Sequence, residues 1–247
     1  MASVKEIYDM LAALAPVELA ESWDNVGLLV DSGKPVTKVL VTLDITPAVV
    51  EEAEKLGCEL IVSHHPVIFG GLKRIGQNDV AFGLVQHGIS AICMHTNLDA
   101  ADGGVNDVLA DLFGMTNRIA FADGCGRVGD VETITTHQLA EMAQQVLHTS
   151  VKFADSGKPI RKLAVISGAG GSMFEDAVAQ GADCLLTGEA NHHQALDAVR
   201  LGMSLIAATH QATEWPVVPV LAQKLQTAYP QLCVQCSSTD PDPFTYI

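Results

Sequence analysis

The stretch KVLVTLDITPAVVEEAEKLGCELIVSHH, Lys38 to His65, constrains the fold more than any other part of the chain. It opens with an apolar run of strand length. Thr46 then suits a helix N-cap, Pro47 suits the first turn, and Val49, Val50, Ala53 and Leu56 recur on one helical face before Gly57 stops the helix. A second apolar run, LIV, follows. Strand, helix and strand joined by short turns require a crossover, which predicts parallel pairing of the two strands.

The stretch KLAVISGAGGSMFEDAVAQGADCLLTGE, Lys162 to Glu189, has the same order 124 residues later. Ser172 and Glu175 have capping-box spacing, and Gly181 falls where Gly57 did. Without gaps, residues 39–63 and 163–187 share Val41/Val165, Glu51/Glu175, Ala53/Ala177 and Gly57/Gly181. After each copy come a helix, a glycine and a strand, ending in HTNLD in the first case and THQATE in the second. Both strands thus run into H-x-x-x-[DE], pairing His95 with Asp99 and His210 with Glu214. Such an order is general among α/β proteins, so internal duplication and two independently similar lobes both remain open. Either reading predicts two similar α/β lobes with mainly parallel sheets. Glycines cluster in FADGCGRVGD, Phe121 to Asp130, and place the expected division there: residues 1–122 as the first lobe, 123–208 as the second, and 209–247 as a segment returning to the cleft and packing on the first lobe. TTHQLAEMAQQVL predicts a helix capped by Thr135 or Thr136.

The formal charge of −15 argues against nucleic-acid binding through a bare surface. No apolar run reaches the length of a membrane-spanning helix, and the first residues read as an amphipathic helix rather than an export signal, so a cytoplasmic location is expected. The six cysteines read as reduced thiols. Cys233 and Cys236 form a lone C-x-x-C within LCVQC, better read as a short strand than as half of a zinc site.

In open parallel sheets, ligands bind beyond the carboxyl ends of the strands. Four expected strand ends carry metal-ligand side chains: His64 and His65; His95 with Asp99; Glu189 with His192 and His193; His210 with Glu214. Six of the nine histidines sit in these short segments. A single histidine at a strand end is more often a hydrogen-bonded structural residue, and that reading is kept for His87, His137 and His148; Asn191 can simply cap a helix. The set as a whole favours metal binding. Imidazole with carboxylate suits zinc, iron, manganese or nickel rather than calcium or magnesium. Neighbouring side chains on a strand diverge, so His64 and His65 fit one ligand for each of two ions with a carboxylate bridging them. Two such ions, roughly 3.5–4 Å apart, support hydrolytic chemistry. No G-x-S-x-G supports a serine nucleophile at Ser63. SGAGGS, Ser167 to Ser172, is neither a Walker motif nor a dinucleotide fingerprint and reads as a tight strand-to-helix turn before phosphate contact.

Six ordered motifs, LAESWDNVGLLV, SHHPVIFG, HTNLDAADGGVND, GCGRVGD, TGEANHHQALDA and THQATEWP, make the chain resemble the Nif-three-like family, also named GTP cyclohydrolase I type 2 homologs. The resemblance implies two α/β lobes with a dinuclear metal centre in the cleft and a homohexameric ring. It implies that His64, Asp99 and Glu214 hold one metal and that His65, His210 and the bridging Glu214 hold the other. His95, Glu189 and His193 match further polar positions and are the candidate catalytic residues, with His95 or His193 moving protons. The implied activity is metal-dependent hydrolysis of a nucleotide or similar small molecule. The alternative is a non-catalytic metal-binding ring that acts as a regulatory or interaction module.

Overall fold

The computed structural model describes residues 1–246. In chain order the elements are α1 (Val4–Leu14), β1 (Gly27–Val30), β2 (Lys38–Thr42), α2 (Pro47–Leu56), β3 (Leu60–Ser63), α3 (Val80–His87), β4 (Ser90–Cys93), α4 (Thr96–Ala100), α5 (Val105–Leu112), β5 (Thr116–Phe121), β6 (Gly126–Ile134), α6 (Thr136–Leu147), β7 (Lys152–Ala154), β8 (Ile160–Ile166), α7 (Phe174–Ala179), β9 (Cys184–Thr187), α8 (His192–Arg200), β10 (Ser204–Ala207), α9 (His210–Glu214), α10 (Val217–Ala228) and β11 (Cys233–Cys236). They form two units: Met1–Ala101 with Val217–Pro241, and Asp102–Pro216 with Asp242–Ile247.

The first unit holds a five-stranded sheet in the order β1-β4-β3-β2-β11. All its pairings are parallel except β1 with β4. The expected α2 forms as its residues dictate: Thr46 accepts from the Val49 amide, Pro47 starts the helix, and Gly57 ends it at φ 69°. α1 is closed by a capping box between Ser3 and Glu6. One core cluster joins Leu40 and Ile61 of the sheet to Val49, Val50 and Ala53 of α2 and Leu84 of α3. β11 joins the edge of β2. Cys233 and Cys236 stand three residues apart on that strand and point to opposite faces, which rules them out as a chelating pair.

The second unit holds a six-stranded sheet, β5-β6-β8-β9-β10-β7, with β8, β9 and β10 parallel and the outer strands antiparallel. Its central strands are apolar on both faces. Leu163, Val165, Cys184 and Leu186 enter one core cluster with α5 and α6, whereas Ala164, Ile166 and Leu185 enter another with Phe174, Ala177 and Ala198. Strands buried on both sides need such continuous apolar runs.

Two local expectations change. Ser172 and Glu175 do not make a capping box: Ser172 lies within a 3-10 turn, Gly170–Met173, and α7 starts at Phe174 without a side-chain cap. The glycines of Phe121 to Asp130 make the turn between β5 and β6 inside the second unit, with Ala122, Asp123 and Gly124 all at positive φ. Arg127 closes that hairpin by donating to the carbonyls of Gly124 and Gly126 and pairing with Asp107. By contrast Thr135 with Gln138 and Asn191 with Gln194 do cap α6 and α8. Among the described residues, no helix is long and apolar enough to cross a membrane.

Candidate metal centre

In the first unit the chain leaves β3 at Ser63 and passes directly into His64 and His65, and it leaves β4 at Cys93 two residues before His95. Because β3 and β4 are parallel and in register, Ser63 opposite Cys93, these turns emerge side by side. His64 is buried, at 2% exposure, and His65 and His95 are half-buried. The three ring centroids lie 5.0, 5.2 and 5.5 Å apart. One ring nitrogen from each comes within 4.8 Å of the others.

What aims the rings is the hydrogen bonding of the opposite nitrogens. His64 Nδ1 lies 2.9 Å from the Met94 carbonyl, which can only accept, so Nδ1 carries the proton and Nε2 the lone pair. His65 Nδ1 is 3.0 Å from Asp44 Oδ1. His95 Nδ1 is 2.9 Å from both oxygens of Asp24. In each neutral ring Nε2 is therefore left with its lone pair directed away from the tether. Holding Nδ1 by a carboxylate or carbonyl is how proteins fix and strengthen an imidazole ligand.

Asp99, on α4, puts Oδ1 3.7 Å from His64 Nε2. That is too long for a hydrogen bond, yet within the span of two atoms bound to one zinc-sized ion, about 4.3 Å at most. Three imidazole lone pairs and a carboxylate around a partly dry space repel one another unless a cation lies among them. The donor set fits a transition metal. Cys93 is not part of it, since burial, reinforced by Asp24 and Asp99, pushes its thiol far up and it donates to the His64 carbonyl.

Asp24 is the base of this arrangement. Its side chain is fully enclosed, and it accepts from the Thr96 amide at 3.1 Å and the Thr96 hydroxyl at 2.5 Å as well as from His95. Burial alone would raise its pKa, but the bonds from His95 and Thr96 outweigh it and hold the carboxyl below the usual range. His95 is shifted downward, chiefly by burial and then by the proximity of His64, against the pull of Asp24.

In the second unit, His210 opens α9 and Glu214 closes it one turn later. His210 Nδ1 is 3.0 Å from Glu189 Oε1, and its Nε2 is 3.1 Å from Glu214 Oε1. Glu214 is buried at 4% exposure, whereas Glu189 is exposed. The start of α9 is pinned: Thr213 Oγ1 donates to the carbonyls of Thr209 and His210 and accepts the Gly168 amide at 3.0 Å. Thr209, β-branched, is held at φ 62°, a strained conformation that persists because these contacts over-determine it. Gly168 sits at φ 58°, where an added Cβ would collide with Glu214 Oε1 and lie 3.1 Å from His210 Nε2. A glycine is required here to leave room for the polar pair.

The structure thus gathers His64, His65, His95 and Asp99 at strand ends of the first unit, and His210, Glu214 and Glu189 at strand ends of the second. His193 lies exposed on the first turn of α8, its ring 5.5 Å from that of His192, and joins neither group. Sequence reasoning missed Asp24, Asp44 and Gly168. Asp44 follows β2 at its carboxyl end and could have been found by asking which acids sit there; Asp24 is 71 residues from His95 and gave no local signal beyond its place in SWDN.

A family model described as Duf34/NIF3 (NGG1p interacting factor 3) matches residues 2–243. A Clostridium acetobutylicum protein named GTP cyclohydrolase 1 type 2 homolog is 31% identical, covering 98% of this chain and 98% of its own. A Schizosaccharomyces pombe protein named NIF3 homolog is 36% identical over 92% of each chain. A hypothetical protein of Staphylococcus aureus, known from its crystal structure, is similar at a TM-score of 0.89 and 31% identity, covering 99% of both chains.

Proposed function

From the premise that the chain belongs to the Duf34/NIF3 family, we propose that it is a dinuclear, metal-dependent hydrolase acting on a nucleotide or a similar small molecule. The observation that carries this reading is the tethering of His64, His65, His95 and His210 through Nδ1, with Asp99 and Glu214 beside ring nitrogens of His64 and His210. In this reading His64 and Asp99 hold one ion, His65 and His210 the other, and Glu214 serves both.

Two divalent transition-metal ions supply Lewis-acid polarisation of a carbonyl or phosphoryl oxygen and make water more acidic. This chain's own groups do the remaining work. The Met94 carbonyl, Asp44 and Glu189 keep the ligand rings in one tautomer and orientation. His95, braced by Asp24, offers Nε2 to take a proton from, or return one to, the reacting molecule. Glu189 orients His210, so proton movement falls to His95 rather than to Glu189 or the exposed His193. A homohexameric ring belongs to the same proposal.

The test is metal analysis of protein reconstituted with zinc, iron or manganese, followed by a turnover screen over nucleotides and phosphodiesters. Up to two ions per chain are expected, with Asp99→Ala losing one and His95→Ala keeping both while losing turnover. Protein that takes up no metal rejects the reading. Protein that binds two ions but turns over nothing in the screen favours the interaction module instead.

A further inference from the structure

Beside the three-imidazole cluster stand two large rings that the core does not use. Trp23 is 57% exposed and Phe69 58% exposed, although both are large apolar rings that burial would favour. Their ring centroids are 5.8 Å apart, and Trp23 meets His95 edge-on at 6.2 Å. Neither ring is held there by apolar packing alone. Trp23 precedes Asp24, whose carboxylate is fixed by His95 and Thr96, and the next residue, Asn25, donates from Nδ2 to the Ile68 carbonyl at 2.5 Å, one residue before Phe69. The same bonds that brace His95 therefore set the two aromatic rings against it.

An exposed tryptophan braced by a buried polar network has a cost in solvation that a structural role does not explain, and aromatic faces at a polar centre are suited to stacking a planar ring. The loop that carries Phe69 also presents the adjacent cations Lys73 and Arg74, both exposed, in a chain of net charge −15. That local reversal of sign fits an anionic group on the same ligand. We propose that Trp23 and Phe69 form a ring subsite that stacks the planar heteroaromatic ring of an anionic substrate beside His95. The inference rests on reading the histidine cluster as the reacting centre, but stacking itself does not require a metal.

The experiment is a fluorescence titration of metal-free protein with AMP and GMP, with ribose 5-phosphate and inorganic phosphate as ring-free controls. Trp23→Phe assigns the signal, because Trp23 and Trp215 are the chain's two tryptophans. Saturable quenching by the two nucleotides, absent in Trp23→Phe and weakened about tenfold in Phe69→Leu, supports the subsite. Equal quenching by ribose 5-phosphate, or no quenching by either nucleotide, overturns it. Protection of Trp23 from acrylamide in the absence of nucleotide also overturns it, because a second copy of the chain then covers the rings. Failure to bind metal would leave these outcomes unchanged, so the two readings fail separately.

Discussion

The central strands of the two units follow the same plan, and their ends do not. β2 and β3 pair as Val39 with Leu60 through Thr42 with Ser63; β8 and β9 pair as Leu163 with Cys184 through Ile166 with Thr187, each residue 124 further along. On that offset Gly188 and Glu189 stand where His64 and His65 do, and Gly168 stands where Asp44 does. The next strands pair as Leu60 with Ser90 and as Cys184 with Ser204, so the offset there is 114 and Thr209, not His210, stands where His95 does. The two H-x-x-x-[DE] segments are thus out of step by one residue: His95 precedes α4, and His210 is the first residue of α9. A shared strand framework supplies shared positions for polar side chains, while each unit fills those positions differently. The first unit places three imidazoles on its turns; the second places one imidazole and two carboxylates, and keeps a glycine at 168, where a Cβ would meet Glu214 and the His210 ring, and one at 188, where it would meet the Thr213 hydroxyl and the backbone of Gly168 and His210.

The largest expected effect sharpens this division of labour. Glu214→Gln should lower bound metal more than loss of any one histidine, because in the proposed centre it is the ligand that serves both ions; metal analysis that finds retention equal to that of His210→Ala rejects the sharing. Next comes a pair of substitutions at matched positions. Gly168→Ala should destabilise the protein by about 2–4 kcal/mol through its positive φ and the collision with Glu214, whereas Asp44→Ala should cost about 1 kcal/mol or less, both read from urea midpoints. Similar losses at the two sites would break the comparison.

Smaller effects follow at the tethers. Asp24→Asn should lower turnover about 10–100-fold while both ions stay bound, because it braces His95, which moves protons and is no ligand in the proposed centre; metal analysis beside the turnover screen is the measure. Glu189→Gln should instead weaken metal affinity, by about tenfold because the carboxylate that tethers His210 is exposed, with competition against a chelator as the measure. The smallest effect lies away from the proposed centre. Glu52 on α2 accepts from Ser237, Ser238 and Thr239 just beyond β11; burial opposes its ionisation, but these bonds outweigh it and bring its pKa from 4.5 down to about 2. A depressed carboxylate stabilises the fold fully above its unfolded pKa and loses that contribution as pH falls from 4.5 toward 2. Glu52→Gln should therefore flatten this part of the thermal-stability profile while lowering stability near neutral pH by about 1 kcal/mol. An unchanged acid limb would show that Glu52 does not hold the tail.

Residue order by itself determined the local devices and the placement of the ligand-type residues. Thr46, Pro47 and Gly57 delimit α2 because capping and turn conformations depend on a few adjacent residues, and apolar runs bounded by such signals identify the central strands of both sheets. The same runs located His64, His65, His95, Asp99, His210 and Glu214 at strand ends, where parallel sheets collect polar groups. What only the tertiary structure decided is how those groups are aimed. Asp24 reaches His95 across 71 residues and Asp44 reaches His65 across 21, and Gly168 yields space to a glutamate 46 positions later. Hydrogen bonds between loops depend on where separate strands end in space, and no pattern of neighbouring residues records that distance. The one-residue stagger between His95 and His210 has the same origin, since it follows from the register of strands and not from the spacing of motifs.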